Sequence, residues 1–366
     1  MAVFCAVLAP ARAGAPRPAA PLPATGAELY RVACAACHGA DGRGASSGMA
    51  DIDVPFPDFT DCNFSSREPD ADWVTVVREG GPARGFSKHM PAFGDALTEA
   101  QILRILAHIK TFADCDAWPR GELNLPRALF TTKAFPEDEL VLSAFVKTDG
   151  PDQIVNKLIY ERRIGAANQI EIAVPFGWSA VRETGGGEEW TFSVGDLALA
   201  VKRVLFHKLS WGSIVSAGAE VVLPTGDEDE GFGDGTVAFE PYLAYGQLVP
   251  ADFFLQFQGG VKIPVKDDVI QDEAFWRGVL GRTFAIGRYR RSLSPMVEIL
   301  GSENLSRSGG TEWDAVPQVQ ISLSARQHVR LCAGARIPLN RREDRAPTYL
   351  VYLMWDVFDG GFFEGW

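Results

Sequence analysis

From residue 139 to residue 358 side-chain polarity alternates along segment after segment, and this regularity narrows the available folds more than any other feature of the chain. In FFLQFQGGVKIP, Phe253, Leu255, Phe257, Val261 and Ile263 share one face, and Gln256, Gln258 and Lys262 share the other. SIVSAGAEVVLP sets Val215, Ala217, Ala219, Val221 and Leu223 against Ser216 and Glu220. NQIEIAVPF sets Ile170, Ile172 and Val174 against Gln169 and Glu171, and HVRLCAGARIP behaves alike. A period of two is the signature of a strand with one apolar and one polar face. Twelve strands are read, at about 139–148, 153–163, 168–176, 196–206, 211–223, 237–247, 252–264, 274–284, 294–302, 313–323, 328–338 and 348–358.

Alternation alone also suits a soluble sandwich. The connections decide between the two. Those at 164–167, 207–210, 248–251 and 324–327 are short, whereas 177–195, 224–236, 265–273, 303–312 and 339–347 are long and rich in Gly or charge. Only 149–152 and 285–293 interrupt that alternation. Short turns at one end and long loops at the other are the layout of an up-and-down antiparallel β-barrel of the outer-membrane type. An even strand count returns both barrel ends to the short-turn, periplasmic side. Glu171, Lys202, Glu220, Glu240, Lys262, Arg330 and Arg336 lie on the minor face, where they suit a polar lumen and would be costly against lipid.

The first 117 residues obey a different rule. TGAELYRVACAACHG opens with Thr25 and Glu28 spaced as a capping box, and Leu29, Val32 and Ala33 then recur at helical spacing. That helix delivers Cys34 to its last turn, with Cys37 on the same side and His38 directly after. C-x-x-C-H reads as a c-type haem attachment. A zinc site would need a second ligand pair, and a thioredoxin dithiol would need a βαβ unit; neither is visible. Downstream, Met90-Pro91 leads into a helix capped by Thr98 and Gln101, with Ile102, Ile105, Leu106, Ile109 and Phe112 on one face. PDADWVTVVREGG reads as a third helix ending at Gly80 and Gly81, with Trp73 in its core face.

CxxCH at Cys34, Cys37 and His38, the MPAFGDALT loop at Met90 to Thr98 and the closing helix to Phe112 together resemble a class I cytochrome c. The resemblance implies one covalently bound haem c, thioether-linked to Cys34 and Cys37. His38 and Met90 would be its axial iron ligands, with His89 the competing sixth ligand. The later segment VVLPTGDEDEGFGDGTVAFEP loosely resembles a group of outer-membrane transporter-like barrels. The expected organisation is therefore a signal peptide at 1–20, truncated at its start, and an all-α cytochrome c domain at 21–117. A linker at 118–138 and an outer-membrane barrel at 139–366 complete it.

Export follows from the apolar start and the Ala-rich cleavage region near Ala13 and Ala15. In that compartment Cys62 and Cys115, one in each flank of the helical domain, are the expected disulfide pair, free thiols being the alternative. A net charge of −12 excludes the basic surface that nucleic-acid binding requires. No run of eighteen apolar residues occurs. The aromatic end, closing on Trp366, resembles a barrel assembly signal. The expected function is one-electron transfer by a monohaem cytochrome anchored in the outer membrane of a Gram-negative bacterium, its haem domain in the periplasm. Its partners would be periplasmic donor and acceptor proteins and outer-membrane lipid. It would be a carrier and not an enzyme, since no distal acid–base pair supports a peroxidase. The alternative is a channel or transporter for a small solute, with the haem domain as plug or redox sensor.

Overall fold

The structure, a computed structural model, describes residues 25–45, 56–147, 153–182, 188–267, 269–306, 310–343 and 345–357. The expected signal peptide and the aromatic end at Trp366 lie outside the described residues.

The helical part contains α1 (Gly26–Ala33), α2 (Ala35–His38), α3 (Cys62–Ser65), α4 (Asp70–Glu79) and α5 (Glu99–Ile109). α1 starts where the Thr25 hydroxyl accepts from the Glu28 amide while the Glu28 carboxylate accepts from Thr25, and Thr98 with Gln101 starts α5 the same way. These reciprocal bonds satisfy amides that an uncapped helix leaves unpaired. α4 stops at Gly80, whose φ of 86° is open to glycine and costly for other residues. Leu29, Tyr30, Val77, Ile102, Ile105 and Leu106 form the apolar core between them.

The rest is strand: β1 (Glu139–Lys147), β2 (Gln153–Ile164), β3 (Asn168–Arg182), β4 (Glu188–Val194), β5 (Leu197–Lys208), β6 (Ser213–Leu223), β7 (Ala238–Val249), β8 (Phe253–Pro264), β9 (Glu273–Arg282), β10 (Phe284–Ile286), β11 (Arg291–Asn304), β12 (Glu312–Ser322), β13 (Val329–Pro338) and β14 (Thr348–Asp356). Neighbours in sequence pair antiparallel, and β14 closes on β1 with Leu142 opposite Leu353. β4 and β5 are successive halves of one stave along β3, and β10 prolongs β9 along β11. The closed barrel thus has the twelve staves that the alternation predicts.

Two stretches expected as loops are partly strand. β3 runs on to Arg182 and pairs with β4, where Trp178 faces Phe192 across the ladder, ring centroids 5.5 Å apart. Aromatic cross-strand pairs of this kind stabilise a hairpin beyond the barrel rim. The connection expected at 285–293 shortens to the turn between β10 and β11, which makes it another short turn.

Polarity is inverted relative to a soluble core. Outward positions such as Leu142, Val201, Leu243, Phe257, Leu280 and Val351 are exposed and apolar. Inward positions such as Lys202, Ser216, Gln256, Gln258, Glu298 and Gln318 are buried and polar. An apolar exterior around a polar interior fits lipid outside and not water.

The largest departure concerns residues 118–138. Expected as a linker, the stretch from Gly121 onward turns into the lumen and has no exposed residue through Asp138. It enters at the short-turn end through a 3-10 turn at Gly121–Leu123 and packs Leu125 beside Gly246. It reverses around Phe130 to Thr132 and returns to the same end to begin β1. The physical reason is that a polar lumen supplies side-chain partners for backbone that has no ladder of its own.

Candidate functional site

Helix α1 breaks at Cys34, and the chain re-forms one turn as α2, with Cys34 N–H donating to the Tyr30 carbonyl at 2.8 Å and His38 N–H to the Cys34 carbonyl at 2.9 Å. This brings the two thiols of Cys34 and Cys37 and the His38 imidazole out of consecutive turns. The Tyr30 hydroxyl donates to the Gly39 carbonyl at 2.7 Å, and the Ala45 and Gly44 amides donate to the Cys37 and His38 carbonyls at 2.8 and 2.9 Å. Cys34 is buried and Cys37 half-buried, and neither is disulfide-bonded. Burial, and then the neighbouring Cys37, push the Cys34 thiol up to about 11, so it is protonated at neutral pH.

The His38 ring stacks on Phe59 with centroids 4.9 Å apart and meets Phe56 edge-on at 6.1 Å. Burial holds its pKa below the ordinary histidine value, which keeps the imidazole neutral, the form that binds metal. Its Nδ1 is buried without a hydrogen-bond partner, and so is Trp73 Nε1 in the same aromatic cluster. Trp73 offered no distinguishing signal in the sequence beyond its helical face.

Met90 packs against the core cluster that contains Cys34, Leu29, Phe59 and Val77. Its backbone is tied to the turn after α4: Gly81 N–H donates to the Met90 carbonyl at 3.0 Å, and Met90 N–H to the Ser87 carbonyl at 3.2 Å. A Cβ on Gly81 would stand 2.3 Å from the Ser87 oxygen and 3.0 Å from the Met90 Cβ, so only glycine closes this loop. His89, the competing ligand, has an exposed side chain. Cys62 and Cys115 are joined by a disulfide, Cα atoms 5.3 Å apart, which fastens α3 to the chain just before the plug. The donor set suits a haem c: two reduced thiols, a neutral imidazole with an unpartnered nitrogen, and a thioether on the same apolar wall.

The helical domain sits on the short-turn end of the barrel. Asp72 accepts from Arg84 and from Gln327 Nε2, the latter at 2.7 Å, and Glu68 meets the His328 ring at 3.1 Å. Arg67 pairs with Asp138, where the plug becomes β1. Helical domain, plug and barrel wall line an open cavity of about 240 Å³, bordered among others by Arg67, Asp72, Asn124, Ser294, Arg330 and Asp356.

Inside the lumen the plug is bonded to staves all around the wall. Arg127 reaches Glu139 and Glu161 at 3.1 and 2.8 Å, and Thr131 and Phe130 amides donate to Glu298. The Thr132 amide donates to Gln258 at 3.0 Å, and Lys202 donates to the Lys133 and Phe135 carbonyls at 2.9 and 2.8 Å. Glu137, Glu139 and Asp356 cluster closely enough to suggest a cation, but Lys133 bonds both glutamates at 2.6 Å and Arg330 faces Asp356 at 3.4 Å. Their charge is met by the protein itself. Of the lumen charges read from the sequence, Lys202 holds the plug, Arg336 pairs with Asp314 at 2.6 Å, and Lys262 pairs with Asp234 at 2.8 Å. The acidic loop residues Asp227, Glu228 and Asp229 are exposed.

Residues 21–109 match the family described as "Cytochrome C oxidase, cbb3-type, subunit III", and residues 152–286 match "Putative MetA-pathway of phenol degradation"; each covers less than half of the chain. No curated protein matches. Among solved structures, the chain is similar to an outer-membrane channel from Pseudomonas putida, at 11% identity over 63% of this chain and 99% of that one, with a TM-score of 0.43. The NanC porin matches at 10% identity over 59% of this chain and 98% of that one, with a TM-score of 0.40, and the KdgM porin at 12%, 59%, 98% and 0.39. The cytochrome family match implies haem c at the N-terminal part.

Proposed function

We propose that the chain is a monohaem c-type cytochrome held in the outer membrane by a plugged barrel, and that it passes single electrons on the periplasmic side. The observation that carries this reading is the meeting of Cys34, His38 and Met90 around one apolar core, with the His38 Nδ1 left unpartnered. Haem c, when bound, supplies a one-electron iron couple. Cys34 and Cys37 would hold it by thioether bonds and His38 and Met90 would ligate its iron, a ligand set that would favour electron transfer over substrate chemistry and raise the potential. The chain acts as a carrier and not as an enzyme.

The periplasmic assignment is supported by the helical domain sitting at the short-turn end, the periplasmic end of outer-membrane barrels. Partners would be periplasmic donor and acceptor proteins. The test is fractionation of the expressed protein with haem staining, followed by redox titration of the membrane fraction. A single haem titrating with one electron in the outer membrane is the expected result. Haem-positive material confined to the soluble periplasm would overturn the reading.

A second reading, a solute channel, is favoured by one observation: the plug is a hairpin joined to the wall through side chains, not through strand pairing. Liposome swelling by the full chain and by a variant with residues 124–135 replaced by a short Gly/Ser linker tests it. Swelling only in the variant would make the plug a gate; no swelling in either would leave the barrel an anchor.

A further inference from the structure

We propose that the short turns of the barrel are positioning elements for the Met90 side of the site, so that methionine ligation depends on docking of the two domains. The inference rests on the haem reading above and deepens it. The segment joining α4 to Met90 is gripped from the barrel at successive points. Arg288 Nε bonds Glu79 at 3.0 Å at the end of α4. Arg84, only 2% exposed, donates to the carbonyl of Tyr289 while its Nε and Nη2 hold Asp72 at 3.0 and 2.6 Å. Arg326 donates to the Gly85 carbonyl at 3.4 Å and lies over the Phe86 ring, 4.8 Å from its centroid. Gln327 completes the grip on Asp72, its side-chain Oε1 accepting from the Ser292 amide at 2.7 Å.

The gripped residues lead straight to the ligand. Phe86 N–H donates to the Gly81 carbonyl at 2.9 Å, and Gly81 N–H donates to the Met90 carbonyl. Residues 81–90 are therefore a closed loop with the barrel on one side and the core cluster on the other. A loop without a ladder belongs to the low-stability end of a domain, and its open form is the one that releases a ligand. Contacts made only when the loop is closed lower the open population by their combined free energy. Arg288 and Arg326 are not among the candidate haem ligands, and they contact the helical domain at Glu79 and at Gly85 and Phe86.

The experiment uses the full-length, haem-loaded protein in detergent. Binding of imidazole to the ferric form is followed by absorption, together with the sulfur-to-iron charge-transfer band that reports methionine ligation. Replacing both Arg288→Ala and Arg326→Ala should tighten apparent imidazole binding about five-fold and weaken the band, each single variant giving part of the change. Arg326→Lys, which keeps a donor and a cation over Phe86, should restore most of it. Hydrogen exchange at the Gly81 and Phe86 amides should rise in step, a readout that needs no exogenous ligand. Heat-modifiable gel mobility checks that the barrel stays folded. An imidazole affinity within about two-fold of the parent in the double variant would overturn the clamp. Met90→Ala separates the two levels. If it opens the iron while the arginine variants do nothing, only the clamp falls. If it leaves the parent spectrum unchanged, the ligand set falls and the clamp with it.

Discussion

Gly81 and Arg127 are two positions at which a single substitution has a definite expected cost. Gly81→Ala forces a methyl group against the Ser87 carbonyl and the Met90 Cβ, both backbone-fixed neighbours. Overpacking of this kind costs about 1–3 kcal/mol. The expected outcome is a lower unfolding temperature of the helical domain and a smaller methionine-ligated fraction, read by absorption during a thermal scan. Arg127 neutralises Glu139 and Glu161, both 1% exposed or less in their side chains. Arg127→Ala leaves Glu161 without its guanidinium inside the lumen, at an expected cost of about 3–5 kcal/mol. Loss of the compact barrel form at markedly lower temperature on gels would bear this out; an unchanged transition would show that water replaces the guanidinium freely. Cys34, Cys37 and His38 stand out in the sequence because C-x-x-C-H is a local motif, and Met90 was singled out by the resemblance of its loop to a class I cytochrome c. Arg84 and Arg326 were not, because their meaning lies in partners such as Tyr289 and Gly85, 205 and 241 residues away.

Among the elements, α1 illustrates how much of a helix is written at its first turn. Hydrogen bonds from the Thr25 hydroxyl, and next from its amide, hold the Glu28 carboxyl below the ordinary value. A folded value lower than the unfolded one means the capping box is intact above the unfolded pKa of about 4.3, and is lost as pH falls through the lowered folded value. An NMR titration of Glu28 should give a midpoint below about 4.3 that Thr25→Ala returns upward, with amide exchange at Glu28 and Leu29 rising about five-fold. A parent midpoint at the ordinary value would refute the assignment. The strands were equally legible, because a slip of one residue would turn every apolar side chain inward. The plug was not. Its backbone groups bond to Gln258, Glu298 and Gln318, side chains that no local pattern links to it, and its Pro and charge content gives it the appearance of a linker.

For the whole molecule the inverted polarity has a direct test. Phe257 faces outward, 47% exposed, and its neighbour Gln258 faces the plug. Phe257→Arg should destabilise insertion into lipid vesicles by about 2–4 kcal/mol if it lies near the midplane, measured by folding yield across a urea series. Phe257→Leu serves as the control; equal yields for the two would argue against a lipid-facing wall. The hairpin form of the plug has a further consequence, for assembly. Both of its ends leave by one mouth, so no length of chain is threaded through the ring and no knot has to be tied. The residue that ends it, Asp138, abuts the strand that forms the seam with β14. The ring can therefore zip shut around a cork already in place, with the helical domain, cross-linked by Cys62 and Cys115, lying beyond the same mouth.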